Sequence, residues 1–207
     1  MHREVLTKPA AQLFHSLAGF PGFYLAGGTA LALQIGHRLS VDFDLFNDND
    51  ISPKLLGRVR REFPEASISP LVNDPSELTV VINGVKVTFL KYPFPVYDAF
   101  AEYEDVQLLS VREIAATKAY TIGRRGSYKD YVDLYFVVAE CNISLPDIIE
   151  LANKKFGEDF NSRLFLEQLV FLDDVEDRNI QFLSRTVTPG ELVAFFQQTI
   201  RTVALDL

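Results

Sequence analysis

The chain has 207 residues, 48% of them hydrophobic, with 17 Phe, no Trp, and a formal net charge of −8 from 20 Lys and Arg against 28 Asp and Glu. Such a length and apolar content allow a buried core, as one large domain or two small ones, and exclude a disordered polymer. The acidic balance argues against a broad, nonspecific nucleic-acid surface while leaving room for a local basic groove.

Cysteine and histidine chemistry is equally restricted. Cys141 is the single cysteine, which rules out a disulfide framework or a cysteine metal site within the chain and reads as a small buried hydrophobe. His2, His15 and His37 have no HExxH-type metal spacing. No window nears the ~18 apolar residues of a membrane span. The Met-His-Arg-Glu-Val start lacks the apolar stretch of a secretory signal. The expectation is a cytoplasmic protein with no membrane partner.

In chain order, Arg3 to Leu17 has helical periodicity, and "PGFYLAGG" reads as a turn into a short buried strand that ends at Gly27 and Gly28. Thr29 to His37 reads as a helix, "SVDFDLF" as a strand and "NDND" as a turn. Ser52-Pro53 then reads as the N-cap and first residue of a helix running to about Phe63. "ASISPLV", "LTVVIN" and "VKVTFL" are strand candidates, the last two joined by the hairpin signal Asn83-Gly84. After the loop "YPFPVYDAF", Ser110 and Glu113 form a capping box for a helix to about Ile122, and "GRRG" separates it from a helix over Tyr128 to Glu140. Further helices open at Ser144 and Pro146, run from near Ser162 to Leu172, and open at Thr188 with Glu191. Residues 1–105 are therefore expected to form a mixed sheet with helices and 106–207 a mainly helical region.

Within "VDFDLF", strand geometry puts Asp42 and Asp44 on one face, while Val41, Phe43 and Leu45 point the other way. Two neighbouring carboxylates repel unless a cation lies between them, and Mg2+ is commonly held by one or two carboxylates together with substrate phosphates. Gly27 and Gly28 allow close backbone approach, and the helix that follows offers N–H groups and a dipole suited to phosphate. Arg38 and Ser40 lie on the connection and are candidates for phosphate contact. Fourteen residues separate Gly27 from Asp42, so an anion site and a metal site meet in one strand-helix-strand unit. Taken singly, a Gly-Gly turn reads as structural and an Asp-x-Asp pair as a solvated or turn-capping one. No GxxxxGK[ST] is present, and the acidic run lacks the central Gly and terminal Glu of an EF-hand loop. Of two basic clusters, Arg58, Arg60 and Arg61 read as a solvated helix face, whereas Arg124, Arg125 and Lys129 are the candidates for a local groove.

"AGGTALALQIGHRLSVDFDLF" together with "EIAATKAYTIGRRGSYKDYVDLYFV" resembles the AbiEii/AbiGii toxin-type nucleotidyltransferases, within the DNA polymerase beta-like nucleotidyltransferase superfamily. The likeness spans about Phe23 to Val138. It implies an α+β fold, a polymerase beta-like mixed sheet with helices followed by a mainly helical half, with the active site in the cleft that the helical half completes. By the same resemblance, Gly27, Gly28 and Thr29 match the element that holds the nucleoside triphosphate. Asp42 and Asp44 match the metal carboxylates, with Mg2+ or Mn2+ as cofactor. Lys118 matches a phosphate-contacting lysine, and Lys129, Asp130 and Asp133 match a Lys-Asp-x-x-Asp element from which Asp130 is assigned to the catalytic site.

The implied activity is transfer of NMP from an NTP to an acceptor hydroxyl, with RNA (the 3′ end of tRNA among the choices) or a protein hydroxyl as acceptor. The implied context is the toxin of a toxin-antitoxin or phage-defence pair with a cognate antitoxin. The sequence departs from the superfamily where a third metal carboxylate stands on a later strand, since "VKVTFL" presents Thr88 there; Asp130 is one candidate to compensate, and a noncatalytic nucleotide- or partner-binding protein is the competing expectation. Asp133 reads equally as a partner of Arg124 or Arg125 and as a residue with a direct role, His37 as a structural hydrogen-bonding residue or a substrate contact, and Tyr128 and Tyr131 as helix packing before base stacking.

Overall fold

In a computed structural model that describes residues 1–172, 175 and 179–205, the chain divides into two compact units: Met1–Pro95 with Ala99–Ser110, and Val96–Asp98 with Val111–Leu207. The first is built on a mixed seven-stranded sheet. Its strands are β1 (Tyr24–Ala26), β2 (Phe43–Asn47), β3 (Ile68–Asn73), β4 (Glu77–Ile82), β5 (Val85–Lys91), β6 (Ala101–Tyr103) and β7 (Val106–Leu108), in the order β3-β4-β5-β2-β1-β7-β6. β2 runs antiparallel to β1 and parallel to β5, and β7 runs parallel to β1.

Alternation along the strands sorts the two faces. Phe43, Leu45, Val87, Phe89, Leu78 and Val80 are all fully buried or nearly so, and direct cross-strand pairing puts them on one face. The helix α1 (Lys8–Phe14) adds Phe14, 6.0 Å from the Phe43 ring, and Phe20 packs 4.9 Å from Phe89. The helix α3 (Leu55–Glu62) buries Leu55 and Val59 and exposes Arg60 and Arg61, so that basic cluster is a solvated helix face. Arg58 instead donates to the Gly19 carbonyl at 2.6 Å and lies over the Phe20 ring.

Local departures from the sequence pattern have visible causes. The expected single helix over Arg3 to Leu17 splits into a short 3-10 turn, α1 and a second 3-10 turn over His15–Gly19. Thr7 caps α1 through Ala10 N–H, and Pro9, in the first turn, has no N–H with which to extend a helix from before it. Leu6 and Ser40 form a β-bridge instead. The helix expected from Pro53 starts at Leu55, because the preceding residues close a turn in which Leu55 N–H donates to the Ser52 carbonyl. Val41 is exposed and precedes β2. The hairpin β6–β7 turns through Glu104 and Asp105, both with positive φ, and carries no glycine signal. A boundary at 105/106 therefore falls inside a hairpin whose second strand pairs with β1.

The second unit is helical: α4 (Val111–Arg125), α5 (Tyr128–Glu140), α6 (Leu145–Phe156), α7 (Ser162–Leu169) and α8 (Pro189–Leu205). Capping boxes open α5 with Ser127 and Asp130 and α6 with Ser144 and Asp147, while Thr188 and Glu191 bond reciprocally at the start of α8. Glu113, read from sequence as a cap partner, accepts the N–H groups of Tyr97 and Asp98 and pairs at 2.5 Å with Lys155, both side chains wholly buried. Burial pushes the Lys155 ammonium below its ordinary pKa against the opposing pull of Glu113. Among the described residues no helix is long and apolar enough to cross a membrane.

Candidate active site

The helix α2 (Gly27–Ile35) begins directly at the end of β1, and its start is shaped by glycine. Gly27 has φ +66°, and a Cβ there would stand 2.6 Å from Asp44 Oδ2. Only glycine accommodates both the left-handed backbone and the carboxylate lying against it. The register that pairs Ala26 with Asp44 sets this contact, so Asp44 sits at the N-terminal, positive end of the α2 dipole. Gly27 and Gly28 are partly exposed there. α2 ends at Gly36 in the left-handed conformation, which terminates it before His37.

Asp44 stands on the face of β2 opposite the buried Phe43 and Leu45, Asp42 is the residue just before that strand, and each is partly exposed. Thr29 is 3% exposed; its hydroxyl donates to the Asp42 carbonyl and lies 2.6 Å from the Ser40 hydroxyl. Ser40 and Arg38 are 8% and 3% exposed, and Arg38 donates to the Leu39 carbonyl at 3.1 Å. These three side chains are buried in the first unit, where Thr29 and Ser40 brace the segment that carries Asp42. His37 is buried with them.

Across from this pair, β5 presents Lys86 and Thr88. Lys86 Nζ lies 3.5 Å from Asp42 Oδ2 with both side chains about half exposed, and Thr88 is the direct neighbour of Asp44. The row continues onto β4, where the Thr79 hydroxyl lies 3.2 Å from that of Thr88 and donates to Glu77 Oε1 at 2.5 Å. Lys86, Thr79 and Glu77 escaped the reading of the sequence. Only the alternation of "ELTVVI" against "VKVTFL" across the Asn83-Gly84 turn points to them.

The residues expected from the second motif lie in the helical unit. Lys118 on α4 bridges Asp130 at 2.6 Å and Asp133 at 2.8 Å on α5. Asp133 is fully buried and pairs with Lys118. Asp130 gives Oδ1 to Lys118 and Oδ2 to the Ser127 N–H and hydroxyl, so it serves at once as a helix cap and an ion-pair partner. Lys129 is exposed on the same helix. Arg124 lies over Tyr120 and donates to the Asp159 carbonyl, and the Arg125 side chain lies outside the described residues. Tyr128 and Tyr131 are buried, as helix packing requires.

The donor set at the start of β2 fits a small divalent cation: two hard carboxylates, Asp44 on the strand and Asp42 just before it, both partly exposed, beside backbone N–H groups suited to phosphate. Among the described residues no group of three or more His, Cys, Asp or Glu side chains stands ready to hold a metal. A cation there would complete its shell from other oxygens.

Comparison with known proteins bears on the family and the fold. A family model described as "Nucleotidyl transferase AbiEii toxin, Type IV TA system" matches residues 12–202. A protein of Aquifex aeolicus (strain VF5) described as uncharacterized, aq_aa25, is 31% identical over 159 residues, which cover 75% of this chain and 76% of that protein. Among solved structures, JHP933 from Helicobacter pylori is similar at TM-score 0.56 and 19% identity, covering 97% of this chain and 96% of that one. MenT4, a nucleotidyltransferase toxin from Mycobacterium tuberculosis H37Rv, is similar at TM-score 0.57 and 16% identity, covering 86% of this chain and 73% of that one.

Proposed function

The chain belongs to the AbiEii family of nucleotidyl transferase toxins, and on that premise we propose that it transfers NMP from a nucleoside triphosphate to an RNA hydroxyl, with Asp42 and Asp44 at the reacting phosphate. The observation that carries the reading is the Asp44 carboxylate set against Gly27 at the start of α2, with Asp42 just before the strand that carries Asp44. This joins an anion-binding helix terminus to a metal-binding pair.

Asp42 and Asp44 would hold Mg2+ or Mn2+, and such an ion, when bound, supplies neutralisation of the triphosphate charge. The chain's own groups do the rest by position. The N–H groups of Gly27 and Gly28 bind phosphate oxygens. Thr29 and Ser40 fix the Asp42 backbone from beneath, and Arg38 is packed beside them. Lys118 neutralises phosphate, its ammonium oriented by Asp130 and Asp133. The acceptor hydroxyl oxygen bonds to the α-phosphorus and gives up its proton to solvent as the bond from the α-phosphorus to the oxygen it shares with the β-phosphorus breaks, and pyrophosphate leaves with that oxygen; positioning and charge neutralisation supply the acceleration.

Lys129, exposed beside this cluster, meets the RNA backbone. A cognate antitoxin and a cytoplasmic setting accompany the toxin role. Incubation with each α-32P-labelled nucleoside triphosphate, Mg2+ and either total RNA or total protein tests the proposal. Label on RNA is the expected result. Label on protein alone would replace the acceptor, and no label with any nucleotide would leave a noncatalytic binding protein.

A further inference from the structure

Asp42 already has a cation beside it. Lys86 Nζ on β5 lies 3.5 Å from Asp42 Oδ2, with the two side chains 46% and 43% exposed. Strand register explains the meeting. β5 runs parallel to β2 with Phe43 opposite Val87 and Asp44 opposite Thr88, and one residue earlier on the two chains come Asp42 and Lys86. Val85 and Val87, the neighbours of Lys86, are buried, which turns Lys86 to the other face of β5, the one it shares with Asp44.

An exposed pair of this kind contributes little to folding, and the lysine head is carried on a flexible four-carbon stem. Its use lies in where it stands. Two neighbouring carboxylates repel each other unless a cation relieves them, and Lys86 supplies that charge in the metal-free chain. A divalent ion at the same carboxylates displaces it, because two charges at about 2 Å from a carboxylate oxygen outweigh one charge at the Lys86 distance. The displaced ammonium has a new partner close by. Oxygens bound to one octahedral Mg2+ stand about 3 Å apart, so a phosphate oxygen that shares the ion with Asp42 comes within reach of Nζ after a turn of the Lys86 side chain.

We infer that Lys86 exchanges partners when substrate binds: it holds Asp42 in the metal-free chain and passes to a phosphate oxygen of the metal-bound triphosphate. The inference rests on the reading of Asp42 and Asp44 as the metal pair, and it adds a phosphate-binding residue from the sheet. One lysine then has two effects of opposite sign. It competes with a bare ion for Asp42, which lowers affinity for the ion alone. It neutralises phosphate, which raises affinity for ion and triphosphate together. The site therefore favours an ion that arrives with its triphosphate over an ion that arrives by itself.

Two binding measurements on the full chain at 0.15 M salt read the two effects. Mn2+ alone is followed by the electron paramagnetic resonance of the free ion, and the preformed complex of Mg2+ with inorganic tripolyphosphate by calorimetry; thermal melting of each variant checks folding. Lys86→Met keeps the stem and removes the charge. It binds Mn2+ about two- to fivefold more tightly, the size of an exposed pair, and the tripolyphosphate complex about tenfold more weakly, the size of a hydrogen bond to a charged group. Lys91, paired with Asp50, stands about 16 Å further along β5, beyond the ~8 Å Debye length. Lys91→Met makes the same change in net charge and leaves both affinities at the wild-type level. Unchanged or weaker Mn2+ binding in Lys86→Met overturns the inference, as does unchanged or tighter binding of the tripolyphosphate complex, or the same two changes in Lys91→Met. Asp42→Asn separates this inference from the reading beneath it. Wild-type Mn2+ binding by folded Asp42→Asn removes the metal pair and the exchange with it; loss of Mn2+ binding there, with wild-type behaviour in Lys86→Met, keeps the pair and removes the exchange.

Discussion

At Gly27 the left-handed φ and the closeness of Asp44 Oδ2, 2.6 Å from where a Cβ would stand, act together, so Gly27→Ala must move the carboxylate as well as strain the turn. The expected cost in stability is about 1 kcal/mol or somewhat more from the backbone, with transfer activity falling far further, read by parallel melting and labelling assays. Lys118 calls for the reverse caution. Its removal takes away the cation 2.8 Å from Asp133, a carboxylate with no exposed surface. Lys118→Met is expected to destabilise by roughly 3–5 kcal/mol, as breaking a buried pair does, and Lys118→Met with Asp133→Leu recovers part of that in urea denaturation without recovering transfer. Recovery of transfer in the double variant would assign Lys118 a structural role alone. The Asp-x-Asp pair and the glycines were legible because period-two alternation and chain breaks are local signals. The burial of Thr29, Arg38 and Ser40 was not, because it is set by the N-terminal segment through the Leu6–Ser40 bridge and the Ser40 N–H donated to the Val5 carbonyl.

Helix caps carry the pH response of the helical unit. The Ser144 hydroxyl and N–H hold the Asp147 carboxyl below the usual range, and the Thr188 N–H and hydroxyl do the same for Glu191. A carboxyl whose pKa is lower when folded contributes stability that is present above its unfolded pKa and is lost as pH falls through the folded value. Melting temperature is therefore expected to drop from about pH 4 downward, and Asp147→Asn with Glu191→Gln flattens that drop while lowering stability at neutral pH. Ser144→Ala is expected to cost about 1 kcal/mol through α6. These caps stand in the sequence as Ser-x-x-Asp and Thr-x-x-Glu. The β6–β7 hairpin does not: its strands are three residues each, and its positive-φ turn uses Glu104 and Asp105 where a Gly would have signalled it. Glu113 shows the converse, since a local capping pattern there is put to use in a long-range pair with Lys155.

For the molecule as a whole, a net charge of −8 limits how the proposed RNA acceptor would be held. Arg60 and Arg61 are spread on a solvated helix face, Arg124 is engaged by Asp159, and Lys129 is exposed in the second motif. Log affinity for RNA is therefore expected to fall with log salt at a shallow slope of about −1 to −2, and Lys129→Ala reduces that slope by about 1; a steep slope would point to a broad basic surface that this charge balance opposes. The sheet and the helical unit each follow from periodicity and punctuation in the sequence, whereas the strand order that sets Thr88 beside Asp44 required the crossover from β2 to β5. The most direct measurement is transfer from α-32P-labelled nucleoside triphosphates with Mg2+, comparing the wild type with Asp44→Asn and monitoring folding by melting temperature. Loss of label in a variant that melts at or above the wild-type temperature is the predicted result, because removing one of two neighbouring carboxylates relieves their repulsion in the metal-free protein. Undiminished transfer by folded Asp44→Asn would contradict the assignment of chemistry to this strand.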